Sequence, residues 1–195
     1  ICNLLIPSFL WRRFFLHSFQ AVITQSEGSR ARLYEKIGLG VNVYAIPPGI
    51  DLSKWQARSN LPGLPPVKLL YLGAATKIRG FELLLDALSL VKKNNVFLRV
   101  LARRADEGEL NRIHSMIDRR NLSNQVSISG GWMSHEYLLA EIHQATAVVQ
   151  PFVLVPSELP VSVMEAIACG VPVIGTRIDG ISSAIARAGE VAEQA

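Results

Sequence analysis

The chain has 195 residues, 49% of them hydrophobic and only 18% charged, which is room for one full domain plus part of another and enough apolar content for a real core. Its formal net charge of +4 is spread over pairs such as Arg12-Arg13, Arg103-Arg104 and Arg119-Arg120, with no basic run interleaved with aromatics. That pattern excludes a nucleic-acid surface and leaves phosphorylated substrates or an anionic membrane face as partners of matching sign. Cys2 and Cys169 make no disulfide framework, and His17, His114, His135 and His143 stand isolated, so metal chemistry of the zinc type is set aside.

The opening, Ile1 to Pro7, has no initiating Met and lacks the basic head and small-residue cleavage site of a signal peptide; it reads as the interior of a longer protein. Phe9 to Phe19 mixes aromatic and basic residues. The mixture suits a membrane surface or, preferred here, a helix packing its apolar side on another domain. Ala21 to Thr24 reads as a strand, and Ser26 caps a helix with Glu27 in its first turn, Lys36 in its last and Gly38 at its stop. Val41 to Ile46 alternates as a second strand before Pro47-Pro48-Gly49-Ile50-Asp51 breaks regular structure. Three prolines and a glycine between Ser53 and Pro66 mark a linker or long loop.

Beyond it, short apolar runs recur as strands at Val67–Leu72, Val96–Leu101, Val126–Ile128, Ala147–Val149 and Val171–Ile174. Helical periodicity separates them. Phe81, Leu84, Leu85, Leu88 and Val91 share one face, as do Leu110, Ile113 and Ile117, while Ser134 caps a helix holding Leu138, Leu139 and Ile142. The fold class expected is α/β, built of right-handed βαβ units around a doubly wound parallel sheet covered on both faces. Such sheets bind ligands at the carboxyl ends of their strands.

Two loops there carry chemistry. Gly73-Ala74-Ala75-Thr76-Lys77-Ile78-Arg79-Gly80 has a glycine leaving a strand, a glycine entering a helix and two cations between, and fits neither a dinucleotide fingerprint nor a Walker A loop. The other runs from Ser157 to Thr176. Pro160 suits the first helical turn and Gly170 with Pro172 the stop, so a short helix turns its positive end toward the loop carrying Glu158.

This second block resembles the donor-site segment of family 4 retaining glycosyltransferases of the GT-B fold, where a Glu, seven residues and a second Glu precede an Ala-x-Ala-x-Gly-x-Pro-Val run. Glu165 to Val173 matches; Glu158 is separated from Glu165 by six residues, and Leu159-Pro160-Val161 replaces the usual Gly-Phe-Gly. Gly73 to Gly80 is similar to the family's Gly-Arg-x-x-x-x-Lys-Gly loop, with Arg79 where the Lys stands and Ala74 where the Arg stands. Ile46 to Asp51 looks like the segment joining the two GT-B domains, and Gly130-Gly131-Trp132-Met133 like the one along the nucleotide base. The loop Ala102 to Glu107 lacks the family's Gly-rich turn and receives no role.

The resemblance implies a Rossmann-like GT-B C-terminal domain, truncated at both ends: residues 1–50 as the tail of an acceptor-binding N-terminal domain, 51–66 as interdomain linker, 67–195 as an incomplete nucleotide-sugar-binding domain. It implies transfer of a hexosyl group from a nucleoside diphosphate sugar to a glycan or lipid-linked acceptor, with retention and without metal or other cofactor, by a fragment inactive on its own. Arg79 and Glu158 are the implied catalytic residues. Gly73, Lys77, Arg79, Gly131, Glu158, Val161, Ser162 and Glu165 are the implied donor-binding set, with Arg79 on the diphosphate, Glu165 on the ribose and Glu158 on the sugar. The other implied partner is its own N-terminal domain, and the implied location the cytoplasm, with the inner membrane face as an extension. A GT-B sugar-nucleotide epimerase and a degenerate, non-catalytic nucleotide-sugar-binding or scaffold module are the rivals.

Overall fold

The structure is a computed structural model that describes residues 7, 9–10, 12–14, 19–37, 42–60, 62–91, 95–154 and 159–194. Cys2, His17, Gly38, Val41 and Glu158, each given a reading from sequence, lie outside the described residues. A first βαβ unit comprises β1 (Ala21–Thr24), α1 (Glu27–Ile37) and β2 (Asn42–Ala45), the two strands pairing in parallel. Ser26 does cap α1, its hydroxyl accepting from Ser29 N at 3.2 Å. Val43 is buried against Val22, Leu33 and Tyr34, a small core for a small unit.

The larger unit alternates β3 (Val67–Leu72), α2 (Phe81–Leu90), β4 (Val96–Arg103), α3 (Glu107–Asp118), β5 (Val126–Gly131), α4 (His135–Gln144), β6 (Ala147–Gln150), α5 (Val161–Ala168), β7 (Val173–Gly175) and α6 (Asp179–Gln194). Its five strands are all parallel, in the order β5-β4-β3-β6-β7. Parallel strands must be covered on both faces, and the alternation of side chains supplies two apolar faces. Tyr71, Leu98 and Val100 meet Phe81, Leu85, Ile113 and Ile117 of α2 and α3 on one face. Leu70, Leu72, Leu101 and Val148 meet Leu138, Ile142 and Ala166 of α4 and α5 on the other. Each fully buried Leu or Phe contributes about 1.5–3 kcal/mol of transfer free energy, so these two layers dominate the stability.

Several boundaries differ from the sequence reading. β4 runs on to Arg103 and β5 to Gly131, because their ladder continues through the Ala102–Gly130 and Arg103–Gly131 pairs. β7 begins at Val173 rather than Val171, since Pro172 has no N–H to give and offers only its carbonyl, to Val148 N at 2.9 Å. Pro160 stands one place before α5 as its N-cap, at φ −64° and ψ 133°, rather than inside the first turn. Within the Ser53–Pro66 stretch, Lys54 to Arg58 contact the larger unit. Arg58 donates from its backbone N to Cys169 O at 3.0 Å and from Nη1 to Ala145 O at 2.6 Å, and Trp55 meets the His135 ring edge-on at 4.5 Å.

Candidate functional site

Chain order reverses between β3 and β6: the strands after β3 are added on one side as β4 and β5, and β6 then returns to its other side. At such a switch point the loops that follow the two central strands part, and a crevice opens beyond their carboxyl ends. A cleft of about 320 Å³ lies there, lined by Gly73, Ala74 and Arg79 after β3, Arg103 at the end of β4, Phe152 after β6, and Pro160 to Ser162 at the start of α5.

The loop after β3 is held from several sides. Gly73 takes φ +123°, a conformation that side-chain-bearing residues rarely adopt, and a Cβ on it would lie 2.5 Å from Arg79 Nη1. Glycine thus clears the space the guanidinium occupies. Gly80, at φ +69°, presses its backbone on the end of β6, where a Cβ would come 1.8 Å from Pro151 O. Tyr71 OH donates to Ala74 O at 2.8 Å and Arg112 Nη2 to Ala75 O at 2.6 Å, so two carbonyls are pinned before any ligand arrives. Burial pushes the Tyr71 phenol well above its ordinary range, and it therefore remains a proton donor. Arg79 lies with its guanidinium carbon 5.2 Å from the Phe152 ring centroid, within cation–π range.

The opposite wall is the first turn of α5, where Val161 and Ser162 precede the first helical bond, from Val163 N to Pro160 O at 3.0 Å, and their N–H groups favour anions. Ser162 is only 8% exposed, and its Oγ has no hydrogen-bond partner among the described residues. Beneath it Glu165 is buried, its side chain 5% exposed, and held by a two-pronged ion pair: Arg103 Nη1 to Oε1 at 3.2 Å and Nη2 to Oε2 at 2.7 Å. A buried carboxylate needs such a partner, and the fork of a guanidinium supplies both bonds at once. Thr76 Oγ1, Arg103 Nε and Gln150 Oε1 are also buried without hydrogen-bond partners, and all three stand at this same end of the sheet. Buried polar groups are rarely left unpaired, and two of these residues, Ser162 and Arg103, line the cleft.

The residues expected from sequence divide into three groups. Gly73, Arg79, Val161 and Ser162 line the cleft. Glu165 lies a layer below them and reaches the cleft through Arg103, so it sits on a buried and not a solvated helix face. Lys77 is exposed on the short 3₁₀ turn Lys77–Arg79 and outside the lining; Gly131 ends β5 beside Arg103 in register. Arg103 received no role from sequence. The signal for it was the alternation of β4: Arg99, Leu101 and Arg103 point to one face, the face α4 and α5 cover, and Arg99 likewise finds Glu141 of α4 at 3.0 Å. Trp132 is 85% exposed, and the rings of His135 and His143 bond the carbonyls of Lys54 and Gln56.

Among the described residues, no three His, Cys, Asp or Glu side chains are grouped to hold a metal ion, and no helix is long and apolar enough to cross a membrane. The cleft is lined by two guanidiniums, Arg79 and the Glu165-paired Arg103, and by a helix N-terminus. That combination suits a multiply charged anion such as a diphosphate. The sequence model of the family described as Glycosyl transferases group 1 matches residues 54–192. The chain belongs to that family. Among solved structures, it is similar to a sucrose-phosphate synthase from Thermosynechococcus elongatus, with 24% identity and a TM-score of 0.74 over 90% of this chain and 45% of that one. It is also similar to HepE from Anabaena in complex with UDP and glucose, with 17% identity and a TM-score of 0.70 over 91% and 51%. WaaG, a glycosyltransferase involved in lipopolysaccharide biosynthesis, aligns at 16% identity and a TM-score of 0.67 over 91% and 50%. At these identities the likeness shows the fold, the Rossmann-like parallel sheet of GT-B glycosyltransferases. The group 1 chain spans about half the length of these structures. No curated protein sequence matches it.

Proposed function

We propose that this chain carries the donor-binding part of a glycosyltransferase that moves a hexosyl group from a nucleoside diphosphate sugar to a glycan or lipid-linked acceptor, with retention at the anomeric carbon and without a metal. The observation that carries the reading is the convergence of Arg79, the α5 N-terminus and the unpaired Ser162 hydroxyl on one cleft at the switch point, with Glu165 buried beside it. The bond between the anomeric carbon and the diphosphate oxygen breaks with its electron pair left on the diphosphate. The acceptor oxygen forms the new bond to that carbon and passes its proton to the departing diphosphate. Negative charge grows on the leaving group, and groups already aimed at it stabilise the transition state more than the ground state. Each charge-assisted hydrogen bond contributes roughly 1.5–3 kcal/mol, about ten- to a hundredfold in rate if fully expressed there.

In this reading Arg79 holds the diphosphate and Glu165, through whichever lone pairs Arg103 leaves it, the ribose hydroxyls. Glu158 orients the sugar, Gly131 borders the base, and the protein works in the cytoplasm, beside an acceptor domain of its own. A second reading, a nucleotide-binding module that does not transfer, is favoured by Ala74, which puts a methyl group where a cation would meet the phosphates. Titration with UDP, GDP and ADP, and then with Glu165→Ala, tests the donor assignment: binding of one diphosphate that Glu165→Ala weakens is expected, and failure of all three to bind refutes it. Sugar released from the bound donor only when an acceptor is present separates transfer from the second reading.

A further inference from the structure

We infer that Arg103, at the end of β4, is a second phosphate-binding cation of this cleft beside Arg79. The inference rests on the donor-site reading above and assigns a residue to it. Arg103 lines the same cleft as Arg79, and its side chain is 29% exposed there, more than the 5% of its partner Glu165. Its guanidinium carries five N–H donors, of which one on each Nη meets Glu165. Nε is buried and unpaired, and the Arg103 side chain makes no other hydrogen bond among the described residues. A purely structural counter-ion for Glu165 has no need to border the cleft.

Two further features point to an anion against Arg103. Ser162 Oγ, more than nine-tenths buried, lines the same cleft without a partner, on the helix turn directly above Glu165. Glu165 takes only one N–H from each Nη of Arg103, so the guanidinium keeps further donors for the cleft that Arg79 also lines. A diphosphate bound across Arg79, Arg103 and the α5 N-terminus would take up the Arg103 donors that Glu165 leaves free.

The test is a calorimetric titration of the wild-type chain, Arg103→Gln, Glu165→Gln and the double variant Arg103→Gln/Glu165→Gln. Each is titrated with UDP, GDP and ADP and with the matching nucleosides. Arg103→Gln is expected to weaken the bound diphosphate about tenfold or more while changing its nucleoside less than about twofold, because a phosphate contact is lost and base and ribose contacts are not. The same tenfold loss is expected between Glu165→Gln and the double variant, which carries no unbalanced buried charge should Arg103→Gln alone fail to fold. Equal losses for diphosphate and nucleoside, or no loss, overturn the inference and leave Arg103 as a positioning residue for Glu165. If the wild-type chain binds no diphosphate, the donor-site reading falls and this inference falls with it; if it binds one and Arg103→Gln binds as tightly, only the inference falls.

Discussion

Replacing Gly73 by Ala separates the shaping of the cleft from the stability of the fold. At φ +123° an alanine is strained by roughly 1–2 kcal/mol, and the stiffer unfolded chain returns about 0.4–1 kcal/mol of that. The net loss of about 0.5–1.5 kcal/mol lowers Tm by about 1–6 °C in a domain of this size. The new methyl lies 2.5 Å from Arg79 Nη1, the far end of a flexible side chain, so the guanidinium retreats by about 1 Å to reach ordinary contact distance. That shift breaks a charge-assisted contact, and diphosphate affinity drops by about ten- to a hundredfold. The assay is calorimetric titration beside a thermal melt, in the wild-type and Arg79→Ala backgrounds. Gly73→Ala costs no further affinity once Arg79 is gone. A folded Gly73→Ala that binds diphosphate as tightly as wild type, or whose loss persists undiminished without Arg79, refutes the reasoning.

Gly80→Ala behaves differently, because its methyl meets the rigid Pro151 carbonyl at 1.8 Å on top of a positive φ; a loss above about 3 kcal/mol is expected in denaturant melts, and a loss below about 1 kcal/mol contradicts the packing described. Burial, followed by the nearby Glu165 carboxylate, pushes the Cys169 thiol up from an ordinary 9.0 to about 11. The folded thiol holds its proton while the unfolded one loses it, so stability falls as pH rises from about 9 to about 11; urea midpoints should show the fall, and Cys169→Ala should flatten it. Next in sequence to cleft-lining Arg79, Phe152 and Ser162, the apolar Ile78, Val153, Leu154 and Val161 are all exposed, the first three joined by hydrogen bonds from Val153 N and Leu154 N to Ile78 O. The chain should self-associate in light scattering at high concentration, and Val153→Ser with Leu154→Ser should relieve it; a wild-type monomer throughout counts against that surface.

The fold was legible where one physical signal acted alone. Short continuous apolar runs marked the strands and the 3.6-residue stripe Phe81–Leu88 marked a helix, because a parallel sheet buried on both faces leaves little choice of side chain. Strand ends were less legible, since ladder hydrogen bonds ask for no particular side chain: β4 continues through Ala102 and Arg103 only because β5 continues opposite them through two glycines. Missing those two residues hid Arg103. With the strand extended, simple alternation from Leu101 aims it at the face of α5. The burial of Glu165 was hidden for the same reason, as its charge is tolerable there only through the fork of Arg103. Lys77 and Arg79 are indistinguishable in the sequence of their loop. In a 3₁₀ turn, residues two apart point well away from each other, so one faces the cleft and the other solvent.

The most direct measurement is an amide and guanidinium NMR map of the labelled chain during titration with the nucleoside diphosphate it binds. The account predicts shifts at Gly73, Ala74 and Ser162 and at the Nε of Arg79 and Arg103. It is contradicted if those signals stay fixed and the changes gather at the separate groove of about 580 Å³ lined by Leu52, Leu159, Met164 and Arg187.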